Sequence, residues 1–573
     1  MAGSAGSAET TAAYDERPWL ASYPEDVPAD FDFPRVPLTQ LLDDATAAFP
    51  RAIAITAGSV QISYAELSDR VNRLAGGLAA NGVGAGDRVA LVLPNCPQHV
   101  EAFFAVLRLG ATVVQCNPLG TADELRRQLV DAAPTAAVCL DKSFDVVQAV
   151  RAEAGIKTLV VTTLIEYLPP RERLRLALPL PSSRAERRRL LAPIDGNVDV
   201  VRYRELLSAA PARQSAVTPT TDVAVLQYTG GTTGVAKGAE LSHANLVANA
   251  YQMRLWLPDV TSGGETTLVV LPLFHVYGLT LCLLTTVLLA GRLVLLPRFD
   301  VTKALETIER ERPTLMPGVP PIYQAIVDAL RAKRWDLSSV RVCVSGAMRL
   351  PVDVQEQFEA RSGAALVEGY GTTESSPATH CNPINGTRKP GTVGVPLPGT
   401  LARIVDPDDH SVALPVGTPG ELVVKGPQVF LGYRDAEQVL LPDGWLLTGD
   451  IAQMDSDGYF TIVDRKKDLI IAGGFNVYPA EVEQAIVEVA GVAECCVVGL
   501  PDRYRGETVK AFVVLEPGAS TTVEEIREHC AGVLSAYKVP REIEIRSDLP
   551  RTVVGKALRR LLVAEELEKA GQS

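Results

Sequence analysis

Residues 228–238 read YTGGTTGVAKG. Glycine has no Cβ, so Gly230, Gly231, Gly234 and Gly238 can take positive φ and turn backbone N–H groups toward one point, which makes a concave anion site. Thr229, Thr232 and Thr233 add hydroxyl donors, and Lys237 adds a positive charge. The chemistry such a loop suits is the holding of phosphate oxygens. It is not the Walker loop, G-x-x-x-x-G-K-[ST]: Lys237 follows Ala236, and Gly238 stands where Ser or Thr should be. Gly555-Lys556 fails the same test, because Ala557 follows it. The plain alternative is a solvated turn-rich loop. Context weighs against it, since residues 223–226 read as a buried strand and a helix is expected near Ser242. A strand–loop–helix junction is where open α/β sheets bind ligands.

A second loop, GYGTTESSP (369–377), follows an apparent strand and supplies hydroxyls at Tyr370, Thr372 and Thr373 and a carboxylate at Glu374. A carboxylate beside a triphosphate requires a cation between the two, and magnesium shares its shell between a few carboxylates and phosphate oxygens. WLLTGD (445–450) ends in Asp450, and DRKKD (464–468) contains Arg465. A carboxylate can accept from both hydroxyls of a ribose. LPRTVVGKALRR (549–560) places Lys556 just before a C-terminal helix. Each of these alone has an ordinary structural reading: a turn aspartate, a surface ion-pair arginine, a solvated lysine.

The elements that must carry these residues are legible in part. Ser63-x-x-Glu66 is a capping box that opens a helix closed by Asn81-Gly82, and Thr121-x-x-Glu124 opens another. Short apolar runs at 88–94, 111–116 and 135–140 read as strands, with a helix at 101–110 between the first two. This βαβα order implies a parallel sheet covered by helices. Strand signals resume after residue 221, at 268–274, 292–297 and 340–346. Residues 392–463 are rich in Gly, Pro and Asp and suggest an antiparallel β region. The last ~105 residues read helix, strand, strand, helix, strand, helix, enough for an independent α+β domain. The run LTLCLLTTVLLA (279–290) is too short to span a bilayer and is expected to be a buried helix.

The chain has 573 residues, 47% hydrophobic and 21% charged, with net charge −13. That length implies two or more domains. The acidic balance argues against a nucleic-acid binder. Nine cysteines show no C-x-x-C pair and no zinc-ligand spacing, and most lie in apolar runs. The reading is a reducing cytoplasm, without a signal peptide in MAGSAGSAETTAAYDERP. Residues 171–191, RERLRLALPLPSSRAERRRLL, are basic with interleaved leucines in this acidic chain. A solvated excursion is the main reading, and peripheral contact with an anionic membrane is the alternative.

Taken together and in this order, the motifs resemble the adenylate-forming superfamily of acyl-CoA synthetases, luciferases and peptide-synthetase adenylation domains. The resemblance runs from RPWLASYPEDVPADFDFPRVPLTQLL to Lys556. PLFHVYG (272–278), GYGTTESSP with CNP at 381–383, GTVGVPLPGT (391–400) and GGFNVYPAEVE (473–483) look most like bacterial long-chain fatty-acid CoA ligases. The resemblance implies an α/β fold: a large N-terminal domain, 1–464, of parallel and mixed sheets with helices plus a β-rich subdomain. A small mobile α+β domain, 465–573, follows and carries the catalytic lysine.

The resemblance also implies roles. Thr229–Gly238 hold the β- and γ-phosphates of ATP. Residues 345–348, including Gly346 and Ala347, and Glu368, Gly369 and Tyr370 flank the adenine. Thr373 contacts the α-phosphate and acyl carboxylate, and Glu374 holds Mg2+. Asp450 and Arg465 bind the ribose. Lys556 bridges carboxylate and α-phosphate, Lys467 is the hinge, and Gly473-Gly474 line the coenzyme A tunnel. His275 lies between acyl pocket and thiol entrance, and Tyr277, Val319, Pro320, Gly346 and Gly371 line the pocket. The expected reaction joins a fatty acid to CoA through an acyl-adenylate, in a monomer or homodimer. An aryl or medium-chain CoA ligase, or a fatty acyl-AMP ligase loading a carrier protein, is the alternative. An amino acid is disfavoured, because the start of PLFHVYG is apolar where that branch carries an aspartate. Two positions depart from the long-chain pattern: Gly120 stands where relatives commonly carry an aromatic residue, and in VVGK (553–556) Val553, two before the glycine, stands where a smaller polar residue is usual.

Overall fold

The fold was analysed in a computed structural model, which describes residues 14–571 apart from 169, 195–198, 230–236, 436–438, 473–474, 503–505, 553–554 and 556. The backbone divides into two compact units. One comprises residues 22–400 and 425–446; the other comprises residues up to 21, 401–424 and 447–573.

The larger unit is built on an eight-stranded sheet. Its order is Gly432–Tyr433, Lys237–Ser242, Val223–Thr229, Thr112–Gln115, Arg88–Val92, Ala136–Leu140, Thr158–Thr162 and Val201–Arg202. The six strands from Val223–Thr229 onward are mutually parallel. Such strands are covered on both faces and read as continuous apolar runs. Ala136–Leu140 is buried at every position. Leu125, Leu129, Phe144 and Val147 from flanking helices pack with Ala90, Val114 and Cys139 in one cluster.

The connecting helices start where their caps dictate. Ser63 and Glu66 exchange hydrogen bonds at the head of Tyr64–Ala80, and Thr121 and Glu124 do so at Ala122–Ala132. Each box satisfies backbone donors that the first turn leaves over. Asn81 ends the first helix, and Gly82 follows at φ +87°.

One junction differs from the sequence reading. The 230–236 segment does not lead directly into a helix. Lys237–Ser242 forms a strand antiparallel to Val223–Thr229, and only then does Ser242 cap the helix His243–Trp256. Gly238 masked that strand, because glycine weakens a β signal. Here it leaves room for Leu226, whose Cδ1 would stand 2.8 Å from a Cβ at this position. The run 279–290 is buried and helical as expected, but its first part, Gly278–Leu284, is wound as a π-helix ahead of Thr285–Leu288.

The smaller unit carries the sheet Leu401–Val405, Gly420–Lys425, Leu446–Met454, Phe460–Arg465, apart from its end residues Lys425 and Leu446. Trp19, 1% exposed, packs edge-on to Phe460 at 6.3 Å and so ties the N-terminal segment to this sheet. A second sheet has the order Phe475–Val477, Ile470–Ala472, Gly506–Leu515, Val492–Asp502, with Glu542–Arg546 parallel to Gly506–Leu515. Its first two strands are three residues each and gave no usable period. Helices Pro479–Val487 and Val523–Val533 bury Val482, Ile486, Ile526 and Cys530 against it. All nine cysteines are described, and all but half-buried Cys495 are buried.

Candidate active site

In the larger unit, paired strands hold both ends of the glycine-rich loop. Thr229 lies opposite Lys237 in register. Gly230, Gly231, Thr232, Thr233 and Gly234, and the side chain of Thr229, lie outside the described residues. The next strand outward is Gly432–Tyr433, where Tyr433 pairs with Ala239. Lys237 Nζ sits 5.2 Å from the centre of the Tyr433 ring. The hydroxyl of that tyrosine donates to Glu374 Oε1. The main-chain oxygen of Glu374 accepts from Phe430 N at 2.8 Å, and Phe430 meets Tyr433 edge-on at 5.1 Å. Lysine, aromatic face and carboxylate are thus drawn together from three separate segments of the chain. Sequence reasoning missed Tyr433. The stretch FLGYRD carried no motif, and its contact with Glu374 spans 59 residues.

The loop bearing Glu374 is tightly determined. Thr373–Ser375 is one 3-10 turn, with Thr372 N donating to Ser375 Oγ at 3.0 Å. Asn249, fully buried on the helix behind it, donates to Ala378 O at 2.7 Å and accepts from Ala378 N at 3.0 Å. Thr280 Oγ1 donates to Ser376 O at 2.6 Å. At Gly371 a Cβ would stand 1.8 Å from Pro377 O, so the doubled-back chain itself demands glycine there.

Tyr277, Val319, Gly346 and Gly318 converge. The buried Tyr277 hydroxyl donates to Val344 O at 2.9 Å and Gly318 O at 3.1 Å. Its ring lies where a Cβ on Gly346 would be, 2.9 Å away. Val319 caps the helix that Pro320 opens, and both are buried. Ala347 follows with φ +67° and is exposed. Gly369 packs on the same strand pair; a Cβ there would lie 3.3 Å from Val344 Cγ1. Tyr370 contacts His380 edge-on at 5.8 Å. His275 is half-buried, and its Nδ1 accepts from Tyr277 N at 3.3 Å, which leaves the proton on Nε2. Desolvation pushes its pKa down to about 4, so the ring is neutral at pH 7. Glu368 is 6% exposed, and burial raises its carboxyl to about 8. Its Oε2 finds no protein donor among the described residues.

In the smaller unit, Asp450 and Arg465 are register partners on adjacent strands. Arg465 Nε donates to Asp450 Oδ1 at 2.7 Å, and the Asp450 side chain is 3% exposed. Gly449, at φ +70°, turns the chain just before it. Asp464 Oδ1 accepts from Arg465 N and Oδ2 from Ala480 N, both at 2.7 Å. Lys467 is the middle residue of the 3-10 turn Lys466–Asp468. Gly473, Gly474 and Lys556 lie outside the described residues. Next to Lys556, Gly555 takes φ +85° and donates to Thr552 O at 2.9 Å. Arg559, three residues on, reaches Glu483 at 2.7 Å and Asp468 at 3.1 Å.

A glycine-rich segment with paired strands at its two ends and a loop carboxylate beside a lysine-faced tyrosine, on an α/β scaffold, are what a nucleotide-using enzyme needs. The chain belongs to the AMP-binding enzyme family. Residues 42–434 match the AMP-binding enzyme model, and residues 481–556 match the AMP-binding enzyme C-terminal domain. The chain is 41% identical over 560 residues to a long-chain-fatty-acid–CoA ligase of Bacillus subtilis, covering 96% of this chain and 99% of that protein. It is 38% identical over 564 residues to a protein of the same description from Yersinia pestis, covering 96% and 99%. Among solved structures, ATP-bound MatB from Rhodopseudomonas palustris matches with TM-score 0.80 and 31% identity, over 92% of this chain and 98% of that one.

Proposed function

We propose that the protein is an ATP-dependent acyl-CoA ligase that activates a fatty carboxylic acid as its acyl-adenylate and passes the acyl group to CoA. The observation that carries the reading is the Lys237–Tyr433–Glu374 assembly at the foot of the 229–238 loop, in a chain whose full-length relatives are named as such ligases.

In the first step a carboxylate oxygen attacks the α-phosphorus of ATP and pyrophosphate leaves. Two anions meet, so fixed positive charge and donors must be in place beforehand. The loop amides and Lys237 hold the β- and γ-phosphates, Thr373 holds the α-phosphate and the acid, and Lys556 bridges the two reactants. Gly346, Ala347, Glu368, Gly369 and Tyr370 frame the adenine. Arg465 holds the Asp450 carboxylate in place to receive the ribose hydroxyls. Among the described residues no cluster of three His, Cys, Asp or Glu side chains could hold a metal. Magnesium needs no such cluster: it takes one or two carboxylates and completes its shell with phosphate oxygens and water. Glu374, oriented by Tyr433, fits that requirement. The ion would supply charge neutralisation at the phosphates.

In the second step the CoA sulfur attacks the carbonyl of the mixed anhydride and AMP leaves. Lys556 would obstruct that approach. The small domain, 465–573, therefore turns about Lys467, withdraws the lysine and presents Gly473-Gly474 to the pantetheine. Neutral His275, with its proton on Nε2, lies between the acyl pocket and the thiol entrance. Tyr277, Val319, Pro320, Gly346 and Gly371 line the tail site. None of them carries a charge at pH 7, the buried Tyr277 phenol being held well above its usual range by desolvation, which suits an alkyl chain and offers no anionic partner to an α-ammonium.

Carboxylate-dependent exchange of labelled pyrophosphate into ATP, run with fatty, aryl and amino acids, tests this. Exchange with fatty acids is expected. ADP as sole product, or AMP with none of the acids, overturns it.

A further inference from the structure

One surface is not used by this chemistry. Residues 170–191 hold seven arginines and two glutamates, with no lysine or aspartate, in a chain of net charge −13. They fold as two short helices, Pro170–Ala177 and Pro181–Leu190. The pair is built onto the larger unit rather than left loose. Leu176 is 3% exposed, Glu172 accepts from Ser59 Oγ at 2.9 Å, and Ser183 Oγ donates to Arg175 O at 2.8 Å. Just before the pair, Tyr167 donates to the fully buried Glu101 and lies under the Arg70 guanidinium at 5.2 Å.

The outward side has a definite pattern. Arg171, Leu174 and Arg175 are exposed on the first helix at i, i+3 and i+4, which is one helical face, and exposed Leu178 follows its last residue. Leu174 is 68% exposed, and Leu180, in the connection, is 50%. Arg184 and Arg188, exposed on the second helix, sit one turn apart. A globular surface exposes single leucines routinely, but here three exposed leucines lie between residues 174 and 180 of a hairpin that also exposes Arg171, Arg175, Arg184 and Arg188, with Arg175 paired to Glu186 at 3.2 Å. It contains no aromatic residue, whereas protein–protein contacts concentrate aromatic anchors.

We infer that this arginine–leucine hairpin docks the protein on an anionic lipid surface. The leucines enter the headgroup–acyl boundary while the arginines lie among lipid phosphates. Charge complementarity selects the occupant: the patch is cationic, and the rest of the chain is strongly acidic. Among the described residues no helix is long and apolar enough to cross a membrane, so the attachment is peripheral. Docking rests on this surface alone. Its value to the enzyme rests on the fatty-acid reading, since a long-chain acid partitions into the bilayer the hairpin would touch.

Vesicle co-sedimentation of the full chain tests the inference without catalysis. Binding to mixed phosphatidylglycerol–phosphatidylcholine vesicles, and not to phosphatidylcholine alone, is expected. It should weaken at least tenfold when Arg171 and Arg188 are both replaced by Glu, because each surface arginine contributes to anionic-lipid affinity. Leu174→Asp with Leu178→Asp should also weaken it. Pyrophosphate exchange with a water-soluble acid should be unchanged in both variants, which separates lost docking from lost folding and from failure of the ligase reading. Absence of binding to anionic vesicles, binding indifferent to both variants, or a self-association that Leu174→Asp disperses would each overturn the assignment.

Discussion

The side chain that unites the candidate site is Tyr433. Its ring faces Lys237 and its hydroxyl donates to Glu374, so one residue touches two motifs read separately from the sequence. Tyr433→Phe keeps the ring and removes the donor. A hydrogen bond to a charged group contributes about 1.5–3 kcal/mol, so adenylation should fall roughly ten- to a hundredfold. The magnesium concentration for half-maximal exchange should rise with it, because Glu374 loses its fixed orientation. An unchanged magnesium profile would show that the hydroxyl does not orient the metal-holding carboxylate. Glu368 gives a second prediction. Burial raises its carboxyl from 4.5 to about 8 in the folded chain. The folded state therefore binds the proton more tightly than the unfolded one, and stability from this group is lost as pH rises from about 4.5 through 8. Glu368→Gln should raise the unfolding free energy at pH 9, by up to a few kcal/mol, and leave it nearly unchanged at pH 4. A stabilisation equal at both pH values would refute a titrating Glu368.

At the scale of elements, what the sequence discloses is local. Ser63/Glu66 and Thr121/Glu124 cap helices in the structure as their spacing implies, because each box is completed within four residues. Apolar runs such as 136–140 become parallel strands for the same reason: the burial signal is continuous. What stayed hidden depends on distant partners. Lys237–Ser242 is a strand because Val223–Thr229 pairs with it, and Ile470–Ala472 because Gly506–Leu515 and its own hairpin partner do. The π-winding of Gly278–Leu284 leaves no mark on an apolar run. The carboxylate, the lysine and the small residues of the candidate site were legible as motifs, whereas the tyrosine and asparagine that position Glu374 come from other elements. Arg559 shows the same pattern. It follows the Gly555-Lys556 motif, and its guanidinium ties the start of Arg559–Gly571 to Glu483 on Pro479–Val487 and to Asp468 beside the hinge; its Nε donates to Val497 O at 3.1 Å. If the proposed hinge operates, such a clamp would make the hinge turn and the lysine segment move as one piece. Arg559→Lys keeps the charge but loses the planar fork. Pyrophosphate exchange should drop about tenfold, while thioester formation from supplied acyl-adenylate changes little. Parallel losses in both half-reactions would reduce Arg559 to a stabilising role.

At the scale of the molecule, the proposed mechanism makes opposite demands on one lysine. In it Lys556 neutralises charge while the adenylate forms and withdraws when the thiol arrives. A rigid chain would serve one step and block the other. The two family segments, 42–434 and 481–556, leave the DRKKD turn between them, and Lys467 is the centre of that turn. A hinge there would carry the lysine on a domain with its own core of Val482, Ile486, Val513 and Ile526, and turning it would break the Asp464–Ala480 hydrogen bond. The two steps should then fail independently. Lys556→Ala should lower adenylation by roughly a hundredfold or more, as loss of a preorganised charge does, yet turn supplied acyl-adenylate and CoA into thioester at nearly the normal rate. Lys467→Pro should do the reverse, because proline fixes φ at the pivot and also restricts Lys466 before it. Pyrophosphate exchange and single-turnover thioester formation, measured on both variants, make a crossed comparison. If either substitution depresses both half-reactions alike, the alternation of a single lysine between two placements is not how this enzyme divides its work.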